Sequence, residues 1–176
     1  MEKMFSGCSH LTYLNLSNFN TSIVTKMGNM FFGCSLLNSI DLSCFDTSKV
    51  KYMNSMFNGC SSLINLDLSN FDTSSVSYMN NMFKGCSSLI SLNLSNFNTS
   101  KVRTMNSAFY ECSSLILLDL SNFDALQVTN MDYIFSKCEK LDYINLRFGR
   151  ASQNLIISEN CSKEQSDFTI CSEYED

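Results

Sequence analysis

Three sets of residues in this chain have the side-chain types that chemistry requires. The first is a column of cysteines, Cys8, Cys34, Cys60, Cys86, Cys112 and Cys138, at a constant step of 26 residues. On segments stacked like the strands of a sheet, neighbouring thiols would stand about 5 Å apart, within reach of a disulfide. A zinc site needs ligands that converge tetrahedrally, and no C-x-x-C spacing exists here to bring them together. Each thiol in such a row has two equivalent neighbours, so pairing one would strand another. The expectation is therefore a ladder of buried free thiols at Cys34, Cys60, Cys86 and Cys112, since unbonded cysteine is a small apolar core residue. Cys44 stands where other units have Asn and falls off the ladder, while Cys161 and Cys171 either pair together in an oxidising compartment or stay reduced.

The second set is a stripe of Asn15, Asp41, Asp67, Asn93, Asp119 and Asn145, followed five residues later by Asn20, Asp46, Asp72, Asn98 and Asp124. Adjacent carboxylates such as Asp41 and Asp67 could hold a cation between them, but the glycine-rich calcium repeats of other repeat proteins are absent. Short polar side chains at such positions cap turns by hydrogen-bonding nearby backbone, and that is the expected role. The third set is the lone His10, which aligns with Leu36, Ser62, Ser88, Ser114 and Lys140. A position open to all of these is unconstrained, so no Ser-His-acid arrangement is credible. No catalytic, cofactor-binding or metal site is assigned, and the chain reads as a non-enzyme.

The element that positions all three sets is one repeated unit. The 26-residue step also carries Phe5 to Phe135, Leu11 to Leu141 and Leu16 to Leu146, without insertion or deletion across 146 residues. Residues 57–82 and 83–108 agree at 17 of 26 positions, which establishes an internal repeat. Within a unit, Leu66 and Leu68 flank Asp67, a period-two pattern that predicts a short strand with both leucines inward. Asp72, Thr73 and Ser74 are turn and cap residues. Val76, Met79, Met82 and Phe83 recur at helical spacing and predict a short helix ending at Gly85, although the stretch from Val76 to Met79 also fits extended chain. One unit cannot bury its apolar positions alone, so units must stack with their strands parallel.

The pieces L-x-x-L-x-L-S-N-F, M-x-x-M-F-x-G-C-S-S-L and F-D-T-S-x-V resemble the BspA-like family of leucine-rich repeat surface proteins. Met56, Phe57, Gly59, Cys60, Leu63, Leu66, Leu68, Phe71, Thr73, Ser74, Val76 and Met79 carry the match, which covers residues 1–146. The resemblance implies a right-handed leucine-rich repeat solenoid of the α/β type, with short parallel strands on one side and short helices or turns on the other. It also implies display at a cell surface or outside the cell, often within a longer chain, with adhesion or host-protein binding known for some members. Glu111 and Lys137 stand in place of the unit's glycine, Ala108 and Ile134 in place of Met, and Ala125 in place of Thr.

Two parts are expected: a solenoid over 1–146 that starts mid-unit, and a C-terminal cap or tail over 147–176, where three basic and six acidic residues gather. The first unit has no polar unit before it, which reads either as a fragment of a longer protein or as an open end that packs on another molecule. End-to-end self-association through Met4, Phe5 and Leu11 follows from the second reading.

The net charge of −5 argues against a nucleic-acid partner, which calls for a clustered basic face. No apolar run approaches the length of a membrane span, and no secretory signal is seen in this chain. Recognition must then reside in the positions that the repeat leaves free. Ile64, Ile90 and Ile116 form an apolar row, with Leu117 adjoining. Tyr13, Asn65 and Tyr143 belong to the next column, and Asp67 and Asp119 to the acid stripe. The expected function is a protein-interaction or adhesion module that meets a protein or glycan on its concave sheet face. The alternative is a structural spacer in a longer surface protein, with no ligand of its own.

Overall fold

The computed structural model describes residues 1–146 and the pair 169–170. Expectations for 147–168 and 171–176, including those for Cys161 and Cys171 and for most of the C-terminal cap or tail, lie outside the described residues. Four short strands form one parallel sheet in chain order: β1 (Ser91–Leu92), β2 (Leu117–Leu120), β3 (Tyr143–Leu146) and β4 (Thr169–Ile170). The registers Ser91 to Leu117, Leu117 to Tyr143 and Tyr143 to Thr169 each advance by one 26-residue step. The step therefore persists into β4, where the sequence pattern has already lapsed.

The expected helix is absent: among the described residues no helix forms, and the segment from Met79 to Cys86 is a run of turns. The backbone hydrogen bonds give the reason. The amides of Met79, Asn81, Phe83 and Gly85 donate outward, to the carbonyls of Thr104, Asn106, Ala108 and Tyr110 one unit on, at 2.7–3.0 Å. The intervening amides of Met82, Lys84 and Cys86 close four-residue turns onto the carbonyls of Met79, Asn81 and Phe83 at 3.1–3.2 Å. Alternate amides are thus committed to the neighbouring unit, which leaves no continuous i to i−4 ladder. Such a zigzag needs left-handed residues, and Asn29, Ser55, Asn81, Ser107 and Tyr133 supply one in each unit with φ of 54–58°.

A second left-handed position, at Gly33, Gly59 and Gly85, becomes Glu111 and Lys137 in the last two units, both with φ of 62°. A side chain fits there because a Cβ on Gly59 would meet nothing nearer than Gly33 at 3.4 Å. An exposed ion pair of 2.7 Å between those two residues offsets only part of a conformational cost of about 1 kcal/mol at each.

Just before these turns the chain is extended, as the alternative for the Val-to-Met stretch has it. Parallel bridges link Lys26, Tyr52, Tyr78, Thr104 and Asn130 in succession. Strand pairing at the L-x-L segments is less extensive than expected. It joins β1 to β4, whereas 13–16, 39–42 and 65–68 carry no strand assignment. The bridge and turn ladder, rather than the L-x-L edge, runs the full length of the described stack.

Side chains reinforce that ladder. Thr47 Oγ1 donates to the Asp72 carbonyl at 3.0 Å and accepts the Asp72 amide at 2.8 Å, so a buried hydroxyl is satisfied in both directions. Thr21, Thr73 and Thr99 do the same, while Ala125 lacks the group. The amide of Asn96 donates to the carbonyls of Leu68, Ser69 and Phe71 in the preceding unit. Cys44, at the equivalent position, keeps a single bond, from Sγ to the Leu16 carbonyl at 3.1 Å.

The core is the set of columns read from the sequence. Leu66 and Leu68 are buried and Asp67 is exposed, which matches the period-two pattern. Phe5, Phe31, Phe57, Phe83, Phe109 and Phe135 stack along the axis with ring centroids 5.6–5.9 Å apart. The thiols of Cys34, Cys60, Cys86, Cys112 and Cys138 are buried, and each donates to the carbonyl of the Phe 29 residues earlier at 3.0–3.2 Å. Cys8, at the start of the column, is exposed.

Candidate interaction surface

The residues expected to carry recognition lie in three columns, those of Ile64, Leu117 and Asp67, that the core columns hold outward. Ile64, Ile90 and Ile116 are 44%, 47% and 48% exposed, and Leu117 is 49% exposed. Partial burial is the common fate of an isoleucine beside a strand, yet each of these keeps nearly half its surface in water. Ile90 and Ile116 are direct neighbours along the stack, the Ile116 amide donating to the Ile90 carbonyl at 3.2 Å, while the Ile64 amide donates to the carbonyl of Asn38 one unit before it at 3.3 Å.

Leu117 opens β2, pairs with Ser91 and Tyr143, and alternates outward with Asp119 while Leu118 and Leu120 point into the core. Asn65 and Asp67 are exposed one unit before Ser91 and Asn93, and Tyr143 is half-buried one unit after Leu117. The structure thus joins Ile64, Ile90, Ile116, Leu117, Asn65, Asp67, Asp119 and Tyr143 into one stripe. Tyr13, 76% exposed, stands four units before Leu117 in the same column, so it does not share that apolar patch. It lines a shallow groove with Asn15, Ser39, Asp41 and Cys44.

The acid stripe behaves as turn residues do. Asp41, Asp67 and Asp119 accept the amides of Ser43, Ser69 and Ser121 at 2.9 Å, and Asp46 and Asp72 accept those of Ser48 and Ser74 at 3.0 and 2.9 Å. Bonds from the Ser69 amide and hydroxyl hold the Asp67 carboxyl below the usual carboxylate range, and Ser43 does the same for Asp41. Such carboxylates stay charged on the surface, and their charge is already used by the backbone. Among the described residues, no group of three or more His, Cys, Asp or Glu side chains converges to hold a metal.

Several exposed apolar residues escaped the sequence reading, notably Ile23 at 80%, Leu126 at 64% and Tyr133 at 60%. Ile23 and Leu126 do carry a signal, since the column of Ile23 otherwise holds Lys49, Ser75, Lys101 and Gln127, and Leu126 stands where other units have serine. Tyr133 carries the same signal, since its column otherwise holds Lys3, Asn29, Ser55, Asn81 and Ser107.

No curated protein and no solved structure matches the chain. A family profile does, described as "Mycoplasma protein of unknown function, DUF285", over residues 1–115 and again over 63–148. The two matches overlap, as an array of like units allows, and together they span all but the last 28 of the 176 residues. The chain therefore belongs to the DUF285 family.

Proposed function

We propose that this chain is a leucine-rich repeat solenoid of the BspA-like kind, and that it acts as a non-enzymatic interaction or adhesion module at a cell surface. The observation that carries the reading is the contrast between columns. Leu63, Leu89 and Leu115 are fully buried, while the adjoining Ile64, Ile90 and Ile116 are each nearly half exposed. A row of exposed isoleucines, extended by Leu117 and rimmed by Asn65, Asp67 and Asp119, has the composition of a partner surface. A protein or glycan ligand would lie across these residues.

Beads coated with the protein, washed over a cell monolayer, test the proposal. Ile90→Asp with Leu117→Asp should reduce retention about tenfold, as loss of a central apolar contact does, without changing the far-ultraviolet spectrum. Retention unchanged by both substitutions would refute the isoleucine face as the contact. Retention no greater than that of uncoated beads would favour the spacer reading, in which the columns only hold neighbouring segments apart.

Self-association is proposed at the first unit. There Met4 is 48% exposed, and Phe5 and Leu11 are only partly covered. Light scattering should show concentration-dependent growth that Phe5→Asp with Leu11→Lys abolishes. A protein monomeric at high concentration without those substitutions would refute it.

A further inference from the structure

The extended segments that precede the turns, with the Ser-Lys corners at 48–49 and 100–101 that lead into them, carry a second surface, independent of the isoleucine face. Lys26, Lys49, Lys51, Lys101 and Arg103 are all exposed there, five of the twelve basic residues in a chain whose net charge is −5. Their placement is regular. The Ser77 amide donates to the Lys51 carbonyl at 3.0 Å, and the Arg103 amide donates to the Ser77 carbonyl at 2.9 Å. Lys51 and Arg103 therefore flank Ser77, two strand spacings or about 10 Å apart along the stack. Lys49 and Lys101 flank Ser75 by the same two steps. Two pairs of cations thus face outward at a fixed interval, with serines between them. Lys26 stands in the adjoining column, bridged to Tyr52: its Nζ lies 5.3 Å from the Tyr52 ring, and Tyr52 stacks on Tyr78 at 5.1 Å and 3°.

From this arrangement we propose that the ribbon of Lys26, Lys49, Lys51, Lys101 and Arg103 binds a linear anionic glycan, sulfated or carboxylated, laid along the stack axis. The pairs do not converge on one point, so a single phosphate or carboxylate would engage only one of them. A polymer with anions at regular intervals engages both, and the Ser77 hydroxyl between Lys51 and Arg103 suits a sugar hydroxyl, while that of Ser75 is held by the Ser48 carbonyl at 2.9 Å. Breadth decides against other polyanions. Asp46 and Asp72 border the ribbon on one side, hydrogen-bonded to Ser48 and Ser74 and close enough to act on Lys49 and Lys101. A bilayer or a nucleic-acid duplex would press on those carboxylates as well, whereas a single sugar chain can avoid them.

The test is binding of a heparin oligosaccharide to the full chain at low salt, followed by titration with salt. Lys51→Glu with Arg103→Glu should weaken binding at least about tenfold and flatten the dependence of log Kd on log salt by about two ion contacts. Lys3→Glu with Lys140→Glu, the same change in net charge elsewhere, should alter Kd by less than about twofold. The milder Lys51→Gln with Arg103→Gln keeps the test open if the reversed charges disturb folding, and should still weaken binding several-fold. Absence of heparin binding, or equal losses in both charge-reversed pairs, would overturn the proposal. So would ribbon-dependent binding of phosphatidylserine vesicles or duplex DNA as tight as that of heparin.

Discussion

Replacing Phe83 with alanine is expected to lower stability by about 3–5 kcal/mol, the range for deleting a buried aromatic ring. The ring is 2% exposed and lies between Phe57 at 5.9 Å and Phe109 at 5.6 Å, so both faces lose a partner at once. The flanking rings are themselves held by their own neighbours in the column. The melting temperature should fall on the order of 10 °C for a chain of this size. Because each unit touches mainly the next, the loss also weakens the junction between the two halves, and the unfolding transition should broaden. Phe5→Ala is the control. That ring is partly exposed and stacks on Phe31 within the column, so its removal should cost less than half as much. Chemical denaturation of the two variants side by side decides the matter, and equal losses would show that the rings do not act as a continuous stack.

Alkaline pH should unfold the protein in a way that reports on the thiol column. Burial pushes the Cys34 thiol from an ordinary value near 9 up to about 11, and those of Cys60 and Cys112 up to about 12. The sign follows from linkage. The folded thiols hold their protons above the pH at which the unfolded ones release them, so their contribution is complete below pH 9. It is lost as pH rises from there towards 12. Each such thiol removes about 1.4 kcal/mol per pH unit within that window, and three together make the decline steep. Urea midpoints measured from pH 8 upward should be flat at first and then fall. Cys60→Ala with Cys112→Ala should shallow the fall, even though the variant starts less stable. Reaction with a thiol reagent at neutral pH gives a second check. Cys8 should react in the native protein, while Cys34, Cys60, Cys86 and Cys112 should wait for denaturant. Ready reaction of all four in the folded protein would refute the burial.

Much of this was legible in the residues. The Leu, Phe, Val, Met and Cys columns announced the core because a constant step leaves side chains of one kind in one environment. The Asp and Asn stripes disclosed their turn role because short polar side chains of this kind cap the backbone amide two residues on. That residue is Ser after all of them but Asp124, followed by Leu126, and Asn145, followed by Arg147. The segment around Val76, Met79, Met82 and Phe83 misled, and the cause is specific. Apolar residues three and four apart fit a helix and equally fit two linked turns, and what separates them is where alternate amides donate. That depends on a neighbour 25 residues away, which no local window contains. The left-handed positions were hidden for the same reason, since Ser55, Ser107 and Tyr133 adopt a backbone that their types do not advertise. For the interaction surface, exposure was readable from variability between units, but the separation of Tyr13 from the Ile90 patch required counting units along the stack.

The bonds between units have a consequence for how such a gene can change. Almost every one spans a fixed chain distance, 25 residues in the turn ladder and in the Thr bonds, and 29 from Cys to Phe. Removal or duplication of 26 codons in register therefore carries each donor to an equivalent acceptor, and the join is chemically indistinguishable from the original. Loss of one or two codons shifts every donor past its partner for a whole turn of the chain. Copy number is consequently the variable that recombination can adjust at little structural cost, and length polymorphism in whole units is the form of diversity to look for among alleles.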